Sequence, residues 1–163
     1  MNDSKEVVEE KAIIECIKEY YQKCPYFDEL AKINVDYLDM DAKDFEYWSL
    51  EQMDGPIILK KNVLGTKTER QCLFILASRS FFNPLVDKQN IENLHLFEKI
   101  AEWTYQNNRK KVFPILNDGE EAISIEITSG GSLYGTNKDN TIARYQMEGK
   151  LIYEKKERNS IWH

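Results

Sequence analysis

Thr141-Ile-Ala-Arg-Tyr-Gln-Met-Glu-Gly-Lys-Leu-Ile-Tyr-Glu154 carries mostly apolar residues at its odd positions and mostly polar ones at its even positions. Successive strand side chains point to opposite faces, so this spacing predicts a half-buried β-strand. Upstream, Asn90 to Lys110 changes period. Ile91, Leu94, Phe97, Ile100, Ala101 and Tyr105 form a stripe at helical spacing, with Asn90 as the expected cap. Arg109, Lys110 and Lys111 gather at the carboxyl end, where the helix dipole favours cations. Before this helix, Gln71-Cys-Leu-Phe-Ile-Leu-Ala-Ser-Arg79 is strand-like and apolar on both faces at its centre, which predicts an interior strand covered on both sides.

The rest of the chain extends this pattern. Ile57 to Val63 and Thr68 to Arg79 flank Gly65-Thr-Lys67 and predict a β-hairpin, entered through a turn at Asp54-Gly-Pro56. Ile33 to Tyr37 and Phe45 to Leu50 read as short strands. Between them Asp36, Asp39, Asp41, Asp44 and Glu46 form an acidic, exposed stretch. Near the start, Val7, Ile13, Ile14, Ile17, Tyr20, Tyr21 and Cys24 recur at helical spacing, with Asp3 or Ser4 as cap and Pro25 as stop. Ala122 to Thr128 predicts a strand with Ile123, Ile125 and Ile127 on one face. Ser129-Gly-Gly-Ser132 and Gly135-Thr-Asn137 then predict a loop before the final strand. The expected fold is α+β, a mainly antiparallel sheet with two packed helices, in one domain over residues 1–155 followed by a polar tail at 156–163.

Composition limits the function classes. A formal charge of −6 disfavours general binding to nucleic acid backbone or anionic membrane, both of which need a basic face. No apolar run approaches the roughly 20 residues that span a bilayer, and Met1-Asn-Asp-Ser-Lys-Glu6 lacks a signal-peptide core, so a soluble, cytoplasmic chain is expected. Cys16, Cys24 and Cys72 are odd in number and widely spaced, which predicts buried thiols in a reducing compartment rather than disulfides or a zinc site.

Catalytic chemistry has little to start from. Of two histidines, His163 is the last residue, so acid/base work would rest on His95, and no nucleophile motif accompanies it. Asp36 to Asp44 lacks the regular register of a calcium loop, and Gly130-Gly-Ser-Leu-Tyr-Gly135 lacks the Gly-Lys-Ser/Thr of a phosphate loop. Catalytic, cofactor and metal residues are therefore assigned to none. A small α+β enzyme such as an acyl transferase, using His95 and Cys72, and a monomeric protein-binding adaptor are the alternatives.

Tyr47-Trp-Ser-Leu-Glu51, Gln71 to Arg79, Gln89-Asn-Ile-Glu-Asn93 with Phe97-Glu-Lys-Ile-Ala-Glu-Trp103, and Thr141 to Gln146 with Leu151-Ile-Tyr153 follow one another in an order that resembles a family. It is that of the tail terminator or minor capsid (head-tail joining) proteins of tailed bacteriophages and prophages of Gram-positive bacteria. The resemblance covers roughly Ile33 to Glu154 as short ordered blocks. It implies a structural, non-enzymatic virion protein assembling as a hexameric ring on the tail tube, with the tube protein and the head-tail connector as partners. DNA would pass through the lumen without specific binding, and no membrane or cofactor is involved. Such a protein would work in the host bacterial cytoplasm during assembly and then in the virion tail. Within this frame, Lys60, Lys61, Lys67 and Arg70 on the hairpin and Asp39, Asp41 and Asp44 in the acidic stretch are the oligomer-interface candidates, as opposite charges on separate surfaces.

Overall fold

A computed structural model of the chain describes residues 10–27, 32–36, 47–85 and 87–157. The elements are α1 (Ile13–Tyr21), β1 (Lys32–Val35), β2 (Tyr47–Gln52), β3 (Ile58–Lys61), β4 (Lys67–Phe81), α2 (Asp87–Arg109), β5 (Glu120–Thr136) and β6 (Ile142–Lys156). The six strands form one sheet in the order β1-β2-β4-β6-β5, with β3 paired to β4. Only β1 and β2 run parallel; every other pair is antiparallel. This is the α+β fold expected from the alternation of periods.

The final strand behaves as its spacing predicts. In β6 Ala143, Tyr145, Met147, Gly149, Leu151 and Tyr153 are all buried, and the residues between them are half-buried. Tyr145 pairs with Ser78, Met147 with Leu76 and Gly149 with Phe74, so this row and the even positions of β4 share one face. Both helices cover that face. Tyr21 of α1 meets Phe74 at 5.9 Å between ring centroids, and Phe97 of α2 meets Trp48 at 5.3 Å and Tyr145 at 6.4 Å. Tyr21 also meets Trp103 at 5.9 Å, which joins the two helices. Its hydroxyl shares a 3.1 Å hydrogen bond with Thr104, so the buried polar atom is satisfied.

Gly149 is the position in this row without a side chain because Phe74 lies across it. A Cβ there would fall 2.4 Å from Phe74 Cζ and 3.0 Å from the Glu126 carbonyl oxygen. Gly149→Val is therefore expected to destabilise the fold by about 1–3 kcal/mol through overpacking. Urea denaturation checks this, and an unchanged midpoint would mean that the ring yields freely.

The opposite face of the sheet is closed unevenly. Ser49, Ala77 and Arg79 are buried there, while Leu73 and Ile75 are only half-buried, so the centre of β4 is less fully covered than its sequence suggests. Arg144 donates to both carboxylate oxygens of Glu51, at 3.1 Å from Nη1 to Oε1, and through Nε to Gln146 Oε1 at 3.1 Å. Arg144 pairs in register with Arg79, and Glu51 with Ile75, so their ion pair crosses β4 over the small Ala77. Long polar side chains thus lie along this face and shade its aliphatic residues.

Four local expectations are corrected. The helix expected to run unbroken from a cap at Asp3 or Ser4 excludes Ala12, and α1 begins at Ile13. Ala12 is extended, with φ −62° and ψ 145°, because the Asn117 side chain donates to the Lys11 carbonyl and accepts from the Lys11 N–H, both at 2.8 Å. Asp3, Ser4 and Val7 lie outside the described residues. Asp54-Gly-Pro56 does not reverse the chain. β2 and β3 run the same way along one edge of β4, and this segment is a detour between them, where Pro56 has no N–H for the ladder. The glycines at 130, 131 and 135 belong to β5, which reaches Thr136 through several bulges. Gly131 is needed because a Cβ would meet Phe97 Cβ at 2.4 Å. The chain turns instead at residues 137–141, where the Asn137 side chain accepts from the Thr141 and Ile142 N–H groups. Ile123, the extra residue of the first bulge, is exposed, whereas Ile125 is fully buried.

The α2 stripe is also displaced. Phe97, Ile100 and Thr104 are buried, while Ile91 and Tyr105 are 62% and 57% exposed and lie off the contact line. Asn90 sits inside the first turns rather than at the cap, since α2 already starts at Asp87. β6 includes Lys156, and Glu157 is fastened to the sheet, so the expected tail begins no earlier than residue 158. No helix among the described residues is long and apolar enough to cross a membrane.

Candidate functional site

The β3–β4 hairpin is a stiff extension of the sheet edge beyond β2, with its β4 half still paired to β6. β3 continues along β4 past the end of β2, and every one of its residues is exposed. At the tip, Asn62 N donates to the Lys67 carbonyl at 3.1 Å and Gly65 N donates to the Asn62 carbonyl at 3.0 Å. The Asn62 side chain accepts from the Thr66 and Lys67 N–H groups at 2.8 and 3.1 Å and donates to Thr66 Oγ1 at 2.7 Å. Gly65 supplies the left-handed φ of 65° that closes the loop. Val63 and Leu64 are thereby held outward, 103% and 82% exposed, with Ile57, Ile58 and Leu59 also exposed along the arm. Five aliphatic side chains are thus exposed in one arm, which makes the arm a candidate contact surface.

The basic candidates divide by position. Lys60, Lys61 and Lys67 stand exposed on the arm. Lys60 Nζ lies 3.8 Å from Glu69, and Lys67 Nζ lies 3.5 Å from Glu154. These are open contacts that leave the ammonium groups accessible to a partner. Arg70 has a different task. It donates to Glu157 Oε1 at 2.8 Å and to Thr68 Oγ1 at 3.0 Å, tying the residue that follows β6 to the root of the arm. The Arg70 hydrogen bond most of all, and a second one donated by Thr68 Oγ1 to Glu157 Oε1 at 3.0 Å, hold the Glu157 carboxyl below its ordinary value. Asp39, Asp41 and Asp44 lie outside the described residues. Asp36 is described at the end of β1, with a left-handed φ of 56°, and its carboxylate accepts from the Gln52 N–H at 3.0 Å. It serves as a strand-end clasp between β1 and β2.

A groove missed at the level of sequence runs between α2 and β5, with a volume of about 570 Å³. Ile125, Ile127 and Ala101 line its floor, and Glu98, Glu102 and Tyr105 of α2 stand exposed at its rim. Sequence periodicity assigns Tyr105 to the core and gives no sign of a groove beside Glu98 and Glu102. The only available signal is the acidic spacing 98 and 102, which places both carboxylates on one helix face.

The residues that an acyl-transferase reading needs point to different environments. His95 is exposed on α2, its Nδ1 3.1 Å from Glu98 Oε2, whereas Cys72 is buried in the core. Burial pushes the Cys24 and Cys72 thiols up to about 11, and that of Cys16 upward, which keeps them protonated and unreactive at neutral pH. All three cysteines are free. Among the described residues, no three His, Cys, Asp or Glu side chains are grouped to hold a metal ion. No protein-family model and no curated protein matches the sequence.

Proposed function

We infer that the chain is a structural subunit of a tailed-phage particle, of the tail terminator or head-tail joining kind, that works by binding other protein subunits. The observation that carries this reading is the stiff β3–β4 arm, with Val63 and Leu64 held in solvent and Lys60, Lys61 and Lys67 around them. An arm fixed in its binding conformation loses little entropy on docking, which favours assembly from identical parts. A head-to-tail contact that closes gives a ring, and six copies on the end of a tail tube would stop its growth and present a face to the head connector. DNA would traverse the ring without specific contacts, in keeping with the net charge of −6.

The test is electron microscopy of the protein mixed with purified tail tubes. A sixfold cap at one end of each tube is expected. Absence of binding to tubes defeats the reading and leaves the monomeric adaptor, which would use the same arm on a different protein. With Lys60→Glu and Lys61→Glu together, capping is expected to weaken and tails to lengthen.

A further inference from the structure

We propose that the β3–β4 arm of one copy docks into the groove between α2 and β5 of a second copy, Val63 and Leu64 entering the groove and the arm lysines facing its glutamates. This deepens the ring reading by naming both halves of the contact. The two surfaces match in each property that matters. The arm offers two fully projecting aliphatic side chains with Lys60, Lys61 and Lys67 beside them. The groove offers an aliphatic floor at Ile125, Ile127 and Ala101 under a rim that carries Glu98 and Glu102 of α2. Its volume of about 570 Å³ falls in the range that accommodates compact apolar groups. The other described clefts lack this combination: the cleft beside α1 has Glu19 and Lys23 together, and the one at the start of β5 mixes Lys67 and Lys156 with Glu120, Glu121 and Glu154.

The contact has to be made between copies. β3 is hydrogen-bonded to β4, and β6 separates β4 from β5, so the arm is held on the far side of the sheet from its own groove. Arm and groove are different surfaces, which makes the contact heterologous and repeatable: each copy donates one arm and receives another. Opposite charge steers the encounter and the apolar tip supplies the holding energy, so association should weaken with salt without being abolished by it.

Native mass spectrometry and sedimentation of the full chain test this with variants at exposed positions, whose circular dichroism spectra verify folding. Val63→Asp with Leu64→Asp disables the arm, and Glu102→Lys with Tyr105→Arg disables the groove. The wild-type chain is expected to self-associate at high concentration, and each double variant to do so at least about tenfold more weakly. Mixed together, the two variants should stop at a one-to-one heterodimer, because one intact arm and one intact groove remain. Variants that associate as the wild type does, a wild-type chain that stays monomeric, or a mixture that forms no heterodimer would each overturn the proposal. Tube capping separates this from the function: variants that still cap tubes overturn the arm-and-groove contact alone, and a chain that self-associates as described without binding tubes overturns the phage reading alone.

Discussion

Trp48→Ala is expected to lower the stability of the protein by about 3–5 kcal/mol, a large share of what holds a domain of this size folded. Trp48 is 1% exposed on β2 and touches elements distant in the chain. Its ring lies 4.6 Å from Phe27 and 5.3 Å from Phe97, so it joins the segment after α1 to the middle of α2. Truncation removes that contact and leaves a cavity that neighbours on a rigid sheet cannot fill. Trp48→Phe should cost far less. Among the described residues the buried Nε1–H has no hydrogen-bond partner, so phenylalanine removes an unsatisfied donor along with the lost volume. Denaturant titration followed by far-ultraviolet circular dichroism compares the two variants. Equal losses would show that the polar atom carries no penalty, and a negligible loss for alanine would contradict the packing described here.

Stability should also fall steeply as pH rises from about 9 to about 12. Burial is the main cause of raised pKa values at Cys24 and Cys72, from 9.0 to about 11, and at Tyr20, from 10.0 to about 12. Burial likewise raises Cys16, Tyr21 and Tyr153. These groups are neutral when protonated, so the native chain keeps protons that the unfolded chain releases above the ordinary values. Below those values both states are protonated and the native advantage is complete. Above them the unfolded state binds fewer protons, and stability declines with each further step in pH until the native groups also ionise. Urea midpoints measured from pH 8 to pH 11 check this. Tyr20→Phe should flatten the upper part of the decline, since Tyr20 contributes between about 10 and 12. A midpoint constant over the whole range would show that these groups are open to water in solution.

The elements that could be read from sequence are those whose pattern is local. The alternation from Thr141 to Glu154 predicts β6 because strand geometry alone sends neighbouring side chains to opposite faces. The Gly65 hairpin is legible for the same reason, as it pairs two neighbouring runs through a short turn that needs a positive φ. The apolar positions of α1 from Ile14 to Tyr21 and the burial of all three thiols also follow from residue type and spacing.

Other features depend on partners far along the chain, and only the tertiary structure decides them. α1 starts late because Asn117, more than a hundred residues away, holds Lys11 extended. The glycines near residue 130 lie in a strand because Phe97 approaches too closely for a side chain at Gly131, a distance no local rule contains. Arg70 is drawn from the set of free cations by Glu157, and the groove exists only because β5 brings Ile125 and Ile127 under the side of α2 that carries Glu98 and Glu102. Sequence by itself determined the periods, and so most of the kinds of element. Which faces meet, and therefore where an arm and a groove appear, was decided by long-range packing, since that depends on shapes brought together only when the sheet closes under its helices.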